Sequence, residues 1–251
     1  MSDALENRRR WLRRTALACS LLVLAVTMLS AFVRLVGMDT DAVLLARGAH
    51  RIAASTVLLG VIALLAISLG PRPYLQREGR HALMLLVLVV FLAVLGRWSA
   101  GTPAPPVVLG NLLGGFLLLA LCGRLVLPAR AALAARLRPW AWLAAGLLLM
   151  QVVLGALRSP VHPFSAVALL LVLAPFAAAL WREGERRVAV AVLALLGAQL
   201  AVGALQFGAG QPVGLVLLHN TIAVLLLATL VHVLRIPALD APGVSAACAD
   251  R

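Results

Sequence analysis

Apolar residues in this chain come in long runs, and charge is confined to short clusters between them. A helix rising 1.5 Å per residue needs roughly 20 such residues to cross the hydrocarbon core of a bilayer. Eight runs meet that requirement: 15–36, 49–69, 81–96, 106–127, 139–157, 161–181, 188–207 and 212–234. The third is the shortest, and must borrow Trp98 and Ser99 or lie where the bilayer is thin. The pattern predicts an all-α integral membrane protein of eight transmembrane helices. The tail at 235–251, with Pro237, Pro242, Gly243 and Ser245, is expected to be disordered.

The loops orient the helices. One side carries Arg8 to Arg14, then Arg72, Arg77 and Arg80, then Arg124, Arg130, Arg136 and Arg138, then Arg182, Arg186 and Arg187, and finally Arg235. The opposite loops, 37–48, 97–105, 158–160 and 208–211, hold only Asp39, Asp41, Arg47, Arg97 and Arg158. Basic residues gather on the cytoplasmic side of membrane proteins, which places both termini in the cytoplasm. An odd number of helices would break the alternation.

Composition agrees. Of 251 residues, 63% are hydrophobic and 12% charged, too few charges to cover a soluble fold. The net charge of +13 would suit a nucleic-acid binder. Its basic residues are all Arg and fall mostly in short clusters between the apolar runs, however, so the membrane accounts for them and no nucleic-acid partner is expected. Cys19, Cys122 and Cys248 form neither a metal motif nor a disulfide framework. The basic stretch from Arg8 to Arg14 resembles the start of a signal peptide, but the apolar run behind it is too long, and no small-residue cleavage site follows. It reads as a retained first helix.

The two halves of the chain resemble each other. Laid without a gap, PPVVLGNLLGGFLLLAL at 105–121 meets VGLVLLHNTIAVLLLAT at 213–229, so that Asn111 falls on His219. Leu92-Ala93-Val94 resembles Leu200-Ala201-Val202, and the stretch from His50 to Ala54 can be laid on that from His162 to Ala166. Two related four-helix bundles follow, at 15–127 and 139–234, with a basic cytoplasmic terminus at 1–14 and a cytoplasmic linker at 128–138.

Ionisable groups inside a bilayer are costly and need a reason. His81 and His232 lie at the arginine-rich ends of their helices and read as solvated interfacial residues. His50 opens the second helix, His162 opens the sixth, and His219 stands about two turns into the eighth, all in the outer half of the membrane. Even-numbered helices thus present polar groups at a common depth. Two facing imidazoles can clamp a haem iron from both sides. Gly110, Gly114 and Gly115 beside Asn111, with Gly203, Ala204, Gly208 and Gly210 before the eighth helix, would admit a flat macrocycle. Interhelical hydrogen bonds and a proton or ion path are the other uses such residues have.

From about residue 15 to residue 234 the chain resembles the haem A synthase family. Phe32-Val33-Arg34-Leu35-Val36-Gly37 resembles the motif leaving that family's first helix, and His50-Arg51 resembles its Glu-x-x-His-Arg motif. Leu218-His219-Asn220 resembles its eighth-helix site, and the stretch from Gln151 to Leu157 the end of its fifth helix. The resemblance implies conversion of haem O to haem A, a cofactor of terminal oxidases, in the bacterial inner membrane. It implies a b-type haem held by His162 and His219, and a site for the substrate haem facing His50 and Asn111. Arg47 and Arg51 could pair with haem propionates or simply face water. Partners would be lipid, haem, a haem O synthase or cytochrome oxidase subunits, and a second copy of the chain.

Several positions depart from the family. Arg47 replaces its Glu, Asn111 its fourth-helix histidine, and Pro163 the Arg after its sixth-helix histidine. The outer-loop cysteines of some members are missing, and the loop between the fifth and sixth helices is short. The departures motivate a second reading, a non-catalytic relative that binds or delivers haem as an oxidase assembly factor. A small transporter with a histidine proton path is the third.

Overall fold

The computed structural model describes residues 2–37, 40–70, 73–98, 104–126 and 135–234. Asp39, Arg72, Ser99, Arg130, Arg235, Cys248, most of the linker and the expected disordered tail lie outside the described residues. Within them the chain folds into eight long helices and no strand: α1 (Ser2–Val36), α2 (Asp41–Leu69), α3 (Gln76–Trp98), α4 (Pro105–Val126), α5 (Arg138–Ala156), α6 (His162–Arg182), α7 (Arg186–Gly208) and α8 (Val213–Val233). Each contains a stretch apolar and long enough to span a bilayer.

Three helices begin five or more residues before their apolar runs. α1 reaches back through the arginines to Ser2, so the basic terminus continues the first helix where it is described. α2 starts at Asp41, capped by the Thr40 hydroxyl accepting from the Val43 N–H at 3.3 Å, with the Asp41 carboxylate in the first turn. His50 therefore lies in the third turn of α2 instead of opening it. α3 begins at Gln76 and has 23 residues; the shortest helix is α5, with 19. A polar first turn can stand in interfacial water, so hydropathy alone undercounts it.

The helices close into two rings. α1 packs on α2 and α4, and α3 on the same two; α5 packs on α6 and α8, and α7 on the same two. Contacts of α4 and α1 with α8, and of α4 with α5, join the rings. Within each ring the even-numbered helices stand at opposite corners. The interior is filled by side chains such as Leu64, Leu85, Phe116, Leu148, Leu173, Phe176 and Leu226, all fully buried.

The exterior is also apolar. Leu45, Ile52, Leu59, Val87, Phe164, Leu171 and Phe207 are exposed, as suits a fold whose solvent is lipid. All five Trp are exposed and lie near the ends of apolar segments: Trp11, Trp140, Trp142 and Trp181 on the arginine-rich side, and Trp98 on the other. That is where amphipathic rings meet headgroups. The Arg14 and Arg186 guanidinium groups lie 5.7 Å and 5.6 Å from the Trp11 and Trp181 ring centres, close enough for cation–π attraction. The extension of α1 is fastened by Arg8, which donates to the carbonyls of Ile67 (2.5 Å), Ser68 (2.6 Å) and Pro73 (2.8 Å). The last carbonyls of a helix have no partner within it, and this guanidinium supplies one to the end of α2.

Candidate functional site

The α5–α6 connection sets the position of the first histidine. α5 ends in a Schellman turn: the Ser159 N–H donates to the Leu154 carbonyl (2.9 Å) and the Arg158 N–H to that of Gly155 (3.1 Å). Arg158 occupies the left-handed position at φ 52°, where α6 and α7 place Gly184 and Gly210. The tight reversal starts α6 at once, with His162 as its first residue. Its imidazole returns to α5, where Nδ1 donates to the Gln151 carbonyl at 3.1 Å. Nε2 keeps the lone pair and has the Gln151 amide nitrogen 3.4 Å away. Ser165 holds the other end of that amide, donating to Gln151 Oε1. Gly155 makes room for the ring; a Cβ there would stand 3.0 Å from His162 Cε1.

The α7–α8 pair repeats the arrangement with different bonds. His219 lies in the second turn of α8, and its Nε2 is 2.9 Å from the Gln199 amide nitrogen on α7. A Cβ at Gly203 would meet His219 Cε1 at 3.3 Å. Two atoms here are buried without a hydrogen-bond partner, His219 Nδ1 and Gln199 Oε1, and Gln206 Oε1 lies two turns further along α7 in the same condition.

Because α6 and α8 are opposite corners of their ring, His162 and His219 meet across its middle. Their ring centres are 6.2 Å apart and their planes cross at 70°. Of the five histidines, these are the two that the structure brings together.

In the first ring His50 makes the bond that His162 makes in the second: its Nδ1 lies 3.1 Å from the Val26 carbonyl on α1. Asn111 is half-buried at the opposite corner, on α4. Along α4 the glycines beside Asn111 are in contact with neighbouring helices. Gly114 receives Leu92, Gly110 receives Leu95 and Gly115 receives Thr27 of α1. Those glycines, expected to admit a macrocycle, serve close helix packing here. Gly208 and Gly210 meet nothing within 4 Å, and only Gly203 of that group faces a histidine. Arg47 is half-buried and Arg51 exposed, one turn before and one residue after His50. His81 Nδ1 lies 2.7 Å from the Arg77 carbonyl of its own helix. His232 is half-buried in the last turn of α8.

Sequence reasoning missed Gln199 and Ser165 and saw Gln151 only as part of a longer resemblance. A signal was present: Gln-x-x-x-Gly occurs on α5 as Gln151 and Gly155, and again on α7 as Gln199 and Gly203. Buried amides in apolar helices need partners as histidines do.

Fold and site together define an eight-helix membrane protein with a histidine pair built into its second bundle. No protein-family profile matches the chain, and no curated protein matches its sequence.

Proposed function

We propose that this chain is a haem-binding membrane oxidoreductase of the haem A synthase type, with His162 and His219 as axial ligands of one haem. The meeting of the two imidazoles across the second bundle carries this reading. Their ring centres stand 6.2 Å apart, near enough for both side chains to hold one group between them. Two imidazoles are too few for a bare ion, but they complete an iron whose other positions a macrocycle fills. The buried, unpartnered Nδ1 of His219 adds support, since an unsatisfied polar atom at membrane depth is costly unless something uses it.

A haem held by two histidines supplies one-electron transfer. The protein's own part is to hold and orient it. Gly155 and Gly203 give the rings their places, and the Gln151 carbonyl fixes the tautomer of His162. In the first bundle, His50 and Asn111 would face the substrate haem, with Arg47 and Arg51 available to its propionates.

His219→Ala is expected to abolish the haem Soret band of the purified protein; an unchanged spectrum would remove His219 as a ligand. A second reading is favoured by the first bundle, where Arg47 replaces the family's Glu and leucines fill Gly110 and Gly114. On it, the chain binds or delivers haem without oxidising it. Pyridine haemochrome analysis of cells supplied with haem O separates the two. Accumulating haem A supports the oxidoreductase, and a Soret band without haem A supports the carrier.

A further inference from the structure

Two buried glutamines flank the histidine pair, and their side chains have no part in the reading above. Gln151 on α5 and Gln199 on α7 are 4% and 5% exposed. Each precedes by four residues the glycine on which a histidine of the next helix rests. A primary amide has no place in hydrocarbon unless it is bonded, and leucine would fill either position at less cost.

We propose that Gln151 and Gln199 are positioning residues of the haem site, each amide placed against one imidazole, with that of Gln199 setting which ring nitrogen His219 offers to iron. The inference rests on the haem reading. A neutral imidazole carries one N–H and one lone pair, and the partner of one nitrogen decides the role of the other. For His162 the Gln151 backbone carbonyl makes the decision by holding Nδ1–H, and the side-chain amide, pinned by Ser165, lies beside Nε2, the nitrogen left for iron. For His219 it falls to Gln199 alone, because Nδ1 has no hydrogen-bond partner. An amide offers a donor at one end and an acceptor at the other. With nitrogen toward the ring, Gln199 takes the Nε2 lone pair and leaves its own Oε1 unpartnered. Turned over, its oxygen accepts from Nε2–H and leaves the Nδ1 lone pair free for iron. The orientation of one amide thus selects the tautomer of His219.

The test uses the full chain in mild detergent, titrated with haemin and poised electrochemically, as wild type, Gln199→Leu, Gln199→Glu and Gln151→Leu. Loss of an outer partner of a metal-bound histidine typically weakens binding by roughly 10–100-fold. Gln199→Leu is expected to lose haemin affinity on that scale and to shift the midpoint potential. Gln199→Glu keeps an acceptor on the ring, so it should recover affinity while moving the potential to more negative values. Gln151→Leu should lose less, because the backbone carbonyl still holds His162. A Gln199→Leu protein with lower thermal stability but unchanged affinity and potential would overturn the proposal. Should that variant not fold, an unchanged potential in Gln199→Glu would overturn it equally. A wild type that takes up no haemin would instead defeat the haem reading, a failure visible before any variant is compared.

Discussion

At the scale of single residues, His50 and His162 make the same bond, Nδ1 to a carbonyl one helix back, yet only His162 has a second imidazole facing it. The difference predicts a contrast between two otherwise similar substitutions. His162→Ala should lose the low-spin spectrum of the second-bundle haem, and His50→Ala should keep it. Both can be read from the absorption spectrum of haemin-loaded protein, and equal losses would mean that the site is not confined to the second bundle. The histidines were legible in the sequence because a titratable group in an apolar run stands out. The glutamines were less so. An amide within a run is an ordinary residue until its helix is known to pack beside a histidine, and that depends on how the ring closes. A glycine is harder still to read: the same absent side chain admits a leucine at Gly114 and an imidazole at Gly203.

At the scale of elements, the α5–α6 turn holds a backbone conformation that favours glycine. Arg158 is left-handed at φ 52°, a geometry costing a non-glycine residue roughly 1–2 kcal/mol. Arg158→Gly should raise stability by about 0.5–1 kcal/mol, because the greater freedom of glycine in the unfolded chain offsets part of the relief. A thermal melt in detergent measures it, and a lowered midpoint would mean that the Arg158 side chain contributes more than its backbone strain costs. The helices themselves were readable, since an unbroken apolar run of this length has few other structures available to it. Their starts were not. Asp41 and Gln76 are polar, and a hydropathy reading stops before them, although Thr40 caps α2 in the ordinary way.

At the scale of the whole molecule, the two rings share one connectivity and place their even-numbered helices at matching corners. The second carries buried amides beside its histidines, and in the first leucines of α3 fill the places at Gly110 and Gly114 of α4. We read this as one architecture put to unequal use. The charge asymmetry of the loops predicts a single orientation, with Gly184 inside and Ser159 outside. Ser159→Cys should therefore react with an impermeant maleimide in intact cells, and Gly184→Cys only after the membrane is opened. The reverse pattern would invert the topology and put the histidine pair in the inner half of the bilayer.

The central claim is that the second bundle holds a haem between His162 and His219. The most direct test is the oxidised and dithionite-reduced absorption spectrum of the protein purified in mild detergent, before and after addition of haemin. The account predicts a sharp Soret band and well-resolved α bands on reduction. A preparation that stays colourless after haemin is added would contradict it.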